Sequence, residues 1–241
     1  AGQVRLVVEV RKVIVEGFAN WVIQLLQESL GSKAEHMFIK TLVVEYGAVL
    51  SGFTTLAMPD EGEDPYVYVM KYMYFLQAFT ALLAYVRDID FLDQPYVEVY
   101  KKELKNLEGK AIAPAPAMDL PALVEAVRGK LTDEQEFIDC VLFFHADRSC
   151  MMRVREALSA AFSDRIVSVF IGSDWNHHSY QAAFGDKKTL FVIAPAASYR
   201  EQPENVPAAD AQTNLSTLKA IAFATYTTIS EKAVYAALKS S

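Results

Sequence analysis

Three short apolar runs, opening at Phe137, Ile166 and Thr189, alternate with two polar, helix-forming stretches before the chain reaches Pro195. Runs of this length, rich in β-branched and aromatic residues, read as strands, and the segments between them are long enough for helices. The stretch FIDCVLFFHADRSCMMRVREALSAAFSDRIVSVFIGSDWNHHSYQAAFGDKKTLFVIAP therefore has the order βαβαβ. Everything else precedes this unit or follows it as a loop and a final helix.

Residues Val4 to Leu30 carry Val, Ile, Leu, Phe and Trp three and four apart around Arg5, Glu9, Arg11, Lys12 and Glu16. That spacing predicts one long amphipathic helix, or two joined near Gly17, ending at Gly31. Ser32 followed by Glu35 has the form of a capping box for a second helix through His36 and Tyr46 towards Leu56, with Gly47 and Gly52 inside it. Met58 to Pro65 is an acidic loop without the alternating ligands and glycine of a calcium loop. Pro95 opens a further amphipathic helix, Tyr96 to Leu107, closed by Gly109. The expected class is α+β: an all-helical block over 1–108, an Ala/Pro-rich linker or extended edge segment over 109–121, and an α/β domain over 122–241 with a C-terminal loop and helix. At the end of the linker Asp119 caps a short helix, Pro121 to Arg128. Ala196 to Thr213 is an extended loop, and Thr213 or Asn214 caps a terminal helix, Leu215 to Leu238.

Tyr66 to Val86 is the most apolar stretch, with Lys71 as its one charge. Its charge-free part, Tyr72 to Val86, makes about 22 Å of helix, short of a bilayer core. The first reading is a buried central helix; the second is contact with a membrane-embedded partner subunit, to which its tyrosines at 66, 68, 72, 74 and 85 are suited. Arg87, Asp88, Asp90 and Asp93 then form a capped, solvated helix end.

A net charge of -7, without a dense basic cluster, argues against nucleic acid or an anionic membrane surface as partner. Lys101, Lys102 and Lys105 read as the solvated face of a helix. Two cysteines, Cys140 and Cys150, are too few for a disulfide framework or a thiolate zinc site. Asp174, His177 and His178 are the metal candidates, with His145 able to complete a set. Adjacent histidines on a helix point about 100° apart, so both seldom bind one ion. No cofactor is expected: Phe170 to Asp174 holds one glycine, which does not make a phosphate loop, and no nucleophile-elbow motif supports a Ser/His/Asp triad.

Residues 119–195 resemble the thioredoxin family. Phe144, His145 and Ala146 fall on that family's Phe-Trp-Ala-like run, and Asp147 and Arg148 follow. Ser149, Cys150, Met151 and Met152 fall on its Cys-x-x-Cys tetrapeptide, and Lys188 on its cis-proline. The resemblance implies a thioredoxin-like domain whose chemistry has been lost. Ser149 replaces the attacking thiol and Met152 the resolving one, while Lys188 removes the backbone edge that holds peptide substrates. Cys150 stays near a helix N-terminus beside Arg148 and Arg153, a setting expected to favour its thiolate; Cys140 is expected in the core.

Two functions stay open. One is a non-catalytic structural or assembly subunit of a larger multiprotein complex, with other protein subunits as partners and a mitochondrial, membrane-associated setting. The other is a monothiol enzyme, glutathione- or peroxide-linked, that uses Cys150. The balance leans away from an enzyme, and the cytoplasm is the alternative location. Ala1 to Arg11 has no signal-peptide pattern, and a start at Ala1 fits a leader already removed.

Overall fold

A computed structural model describes residues 3–10, 15–31, 33, 38–45, 51–57, 62, 64–197 and 207–239. The protein is mixed α/β with parallel sheets, and it divides into two compact units. The first holds residues 1–97 and 177–186; the second holds 98–176 and 187–241.

The first unit is built on a three-stranded parallel sheet, which replaces the expected all-helical block. Strand β1 (Gln3–Val10) lies between β2 (Phe38–Glu45) and β3 (Thr54–Ala57). The register runs from Gln3 opposite Phe38 to Val10 opposite Glu45. Leu6, Val7 and Val8 are all buried, so β1 is covered on both faces. A strand of that kind is a near-continuous apolar run, and its apolar residues satisfy a helical spacing by default. The valines favour the strand, because branching at Cβ costs less on a pleated surface than in a helix. Helix α1 (Val15–Ile23) continues as a π-helical turn over Gln24–Glu28. The capping box of Ser32 and Glu35, His36, Tyr46 and Gly47 lie outside the described residues. Gly52 has φ +80°, a left-handed turn leading into β3 and no part of a helix.

Helix α2 (Pro65–Arg87) starts at Asp64, whose carboxylate accepts from the Tyr66 amide at 2.9 Å. It ends at Asp88 in the left-handed region with φ 53°. Tyr68, Tyr72, Leu76, Thr80 and Ala84 form its buried stripe, and four of these five join Leu6, Val8, Phe18, Val22, Leu26 and Ile39 in one core. Of the acidic loop, residues 58–61 and 63 lie outside the described residues.

Helix α3 (Val97–Asn106) is the first element of the second unit, and Gly109 closes its turn with φ +72°. Residues 109–121 are an edge segment: β4 (Ala117–Met118) pairs in parallel with β9 (Ala237–Leu238). Asp119 caps α4 (Leu120–Lys130) through the Ala122 amide at 3.0 Å, and the helix runs on past Gly129. The main sheet has the order β6-β5-β7-β8 and is parallel throughout. Its strands are β5 (Phe137–Phe143), β6 (Ile166–Ile171), β7 (Thr189–Pro195) and β8 (Ala233–Tyr235). Every residue of β5 and β7 is buried, as central strands with both faces covered require. Ile138, Cys140, Leu142, Leu190 and Val192 pack with Leu123 and Val127 of α4 and with Val154 and Leu158 of α5 (Arg148–Ala161).

On the opposite face Trp175, from α6 (Gly172–His178), meets Phe191 edge to face at 5.6 Å. Helix α8 (Ala208–Thr228) packs against β7 and β5 there. The terminal helix thus begins earlier than expected, with Thr213 inside it, and stops at Thr228. The tail expected to be helical forms a 3-10 turn, β8 and β9. Of the loop after Pro195, residues 198–206 lie outside the described residues.

Candidate functional site

In an open parallel sheet the chain leaves the strands' C-terminal ends in loops, and ligands bind where successive connections diverge. In the second unit that point lies beyond Phe143, because the chain goes from β5 to β6 on one side and β7 pairs on the other. The loop after β5 carries His145 and Asp147. Asp147 caps α5, its carboxylate accepting from the Cys150 amide at 2.7 Å. The Ser149 hydroxyl accepts from Arg153 Nη1 at 3.0 Å.

Cys150 is half-buried and packs, with Met151, against the core that contains Cys140. Burial pushes its thiol above the ordinary cysteine value; Arg153 works against the shift and the Asp147 carboxylate adds to it. The expected thiolate is therefore overturned. The helix N-terminus and Arg153 are outweighed by loss of water and by the capping carboxylate. Cys140 is fully buried, and burial raises its thiol strongly.

A methyl group on Gly172, which follows β6, would sit 2.5 Å from the Phe143 ring and 2.8 Å from its Cα, so the backbone there packs directly on the end of β5. Lys188 lies at the other end of the sheet. It precedes Thr189, which pairs with Phe137 at the start of β5, whereas Cys150 follows the end of β5. The Lys188 carbonyl accepts from the amides of Glu136 and Phe137 at 2.8 and 3.1 Å. The two positions singled out with the tetrapeptide are not brought together.

The metal candidates share one helix, α6, without converging on an ion site. Asp174 and His177 are exposed on α6, and His178 is buried with Nδ1 2.6 Å from Ser179 Oγ. Among the described residues no group of three His, Cys, Asp or Glu side chains is placed to hold an ion. His145 is exposed after β5. Lys101 pairs with Glu98 at 2.8 Å on the exposed face of α3.

Two arrangements escaped the sequence reading. One is a buried polar chain in the first unit. The Gln27 side chain accepts from the Thr41 amide at 3.0 Å and donates to Ser179 Oγ at 2.8 Å. Ser179 follows His178 and precedes α7 (Tyr180–Gly185), more than 130 positions further on. The π-helical turn, rare in itself, was the local clue that no spacing rule exposes.

The other is the outer face of α2, where the expectation of a buried central helix fails. Only one stripe is covered. Tyr66, Met70, Tyr74, Leu82 and Val86 are 84%, 68%, 76%, 64% and 74% exposed, and Tyr85 is 85% exposed. With Ala78, also exposed, the first five residues form an unbroken i, i+4 ridge opposite the buried stripe. Among the described residues, α2 is the one helix long and apolar enough to cross a membrane. Its other stripe is packed on an open parallel sheet along most of its length, and an open sheet edge has no place in hydrocarbon.

No family model, curated protein or solved structure matches this chain.

Proposed function

We propose that the protein is a non-catalytic structural subunit that acts by assembling with other protein chains. One observation carries this reading: α2 exposes an apolar ridge along its full length, and isolated soluble chains rarely expose contiguous apolar surface of that extent. Tyrosine and methionine on the ridge suit a protein interface, since both give broad contact area and adapt to a partner's shape. From the thioredoxin resemblance this reading keeps the order of β5, α5, β6 and β7 as a scaffold and assigns no redox chemistry to it.

The monothiol alternative is disfavoured by the upward shift at Cys150 and by the lack, among the described residues, of a base hydrogen-bonded to its sulfur. The test is gentle purification of the native chain with sizing and mass spectrometry. A stoichiometric assembly that is lost on Ala78→Glu is the expected result. A stable monomer whose turnover of peroxide or glutathione disappears on Cys150→Ser would overturn the reading.

A further inference from the structure

We infer that residues 1–97 form a binding site for a short peptide helix whose occupant is the Ser179–Phe184 segment of this same chain, so that the two stay bound when the chain is cut between Glu108 and Pro116. The inference concerns the first unit alone and goes beyond the assembly reading.

The first unit is made of two pieces of chain, with residues 98–176 intervening between them. Tyr180, Gln181, Ala182 and Ala183 of the later piece are all buried. Recognition between the pieces is polar. Gln27 Nε2 donates to Ser179 Oγ at 2.8 Å, the Gln181 side-chain oxygen accepts from the Tyr96 amide at 3.1 Å, and Gln181 Nε2 donates to the Gly31 carbonyl at 3.4 Å. The Thr41 amide can only donate, which fixes Gln27 Oε1 as its acceptor and leaves Nε2 to Ser179. Two glutamines, one from each piece, thus bridge the contact in opposite directions. Buried amides of this kind specify one seating, because a slipped segment would leave them without partners. Shape agrees with the polar pattern. A methyl group on Gly31 would collide with Cα and Cβ of Ala182, so glycine there admits the backbone of α7 to close contact. Tyr96 stacks on Phe184 with ring centroids 4.6 Å apart. A short helix anchored by buried side chains in a site of fixed shape is the helix-in-groove mode of peptide recognition.

The covalent link between the pieces can be cut without touching this contact. After α3 the chain turns at Gly109 and runs from Ala111 to Pro116 without helix or strand. Every residue from Glu108 to Ala111 is exposed, as are Ala113, Pro114 and Pro116. Among the described residues no backbone hydrogen bond involves Ala111 to Ala115. Exposed chain held by no ladder is where proteases nick folded proteins. Lys110 opens this stretch and offers a lysine-specific endopeptidase its bond to Ala111. Lys101, Lys102 and Lys105 are protected by their place in α3, and Lys188 by its carbonyl, which accepts two amides of the sheet.

The experiment is limited digestion of the full chain with a lysine-specific endopeptidase, with the cut mapped by mass spectrometry and the nicked product followed by sedimentation. It is run on wild type, Gln181→Ala, Ser179→Ala and His177→Ala, the last an exposed position in the same segment. The expected first cut is at Lys110, and fragments 1–110 and 111–241 then sediment as one particle at about 1 μM. Gln181→Ala removes two buried hydrogen bonds and should raise the dissociation constant of the nicked pair at least tenfold. Ser179→Ala deletes one hydroxyl, so it leaves the uncut chain folded and should shift the constant in the same direction by less. His177→Ala should change it less than twofold. Three results would overturn the inference: a first cut elsewhere with Lys110 left intact, wild-type fragments that separate at about 1 μM, or a nicked pair indifferent to both Gln181→Ala and Ser179→Ala.

Discussion

Gln27 and Ser179 stand 152 positions apart and share a 2.8 Å hydrogen bond inside the first unit. Gln27 also receives the Thr41 amide, so one buried side chain ties the π-helical turn, β2 and the approach to α7. Gln27→Leu leaves that amide without a partner and should cost about 1–3 kcal/mol. Faster hydrogen exchange at amides of β2 and α7 would report it; unchanged protection would show that the bridge contributes nothing.

Tyr72 holds α2 to the sheet. Its hydroxyl lies 2.7 Å from the Glu9 carbonyl and 2.8 Å from that of Leu56, on neighbouring strands β1 and β3. Tyr72→Phe keeps the ring in the core and should lower stability by about 1 kcal/mol, visible as a lower urea midpoint with the far-ultraviolet spectrum unchanged.

Gly172 abuts Phe143, and even one methyl group there forces the ring or the backbone aside. Gly172→Ala should destabilise the second unit by about 1–3 kcal/mol. Thermal unfolding followed at Trp175, which packs against the same sheet, is the measurement.

At Cys150 the thiol is the favoured form, so alkylation by iodoacetamide at neutral pH should be slower than for a cysteine in an unfolded peptide. Asp147→Asn keeps a side chain able to cap α5 and removes the carboxylate that helps raise the thiol. The alkylation rate should then increase at fixed pH. An unchanged rate would mean that burial alone sets the reactivity.

Cys140 links stability to alkaline pH. Its thiol is raised in the folded chain, so the fold binds that proton more tightly than the unfolded chain does. The associated stability is complete below about pH 8.5, the value of an unperturbed cysteine, and is lost as pH rises towards the folded value. Cys140→Ala should flatten the fall in denaturant midpoint above that pH, at the cost of a small cavity at all pH values.

The second unit was the legible part of the sequence. Its strands are short, apolar and bounded by polar helix-forming segments, and β5, α5, β6 and β7 fall where that alternation places them. The Asp119 helix start is local chemistry, one carboxylate and one amide. The first unit was misread because β1 is buried on both faces, so the strand alternation that would have identified it is absent. The exposed ridge of α2 was hidden for the opposite reason. Its covered and uncovered stripes are equally apolar, and only the position of the sheet distinguishes them.

Residues 177–186 belong to the first unit although the chain reaches them only after most of the second has been written. On a ribosome, residues 1–97 emerge early but lack the segment that carries Ser179 and Ala182. Roughly ninety further residues must be added, which takes on the order of 4–18 s at about 5–20 residues per second. During that interval the nascent N-terminal unit is an incomplete fold with a vacancy beside Gln27 and Gly31, and a clone cut at residue 97 would keep that vacancy permanently.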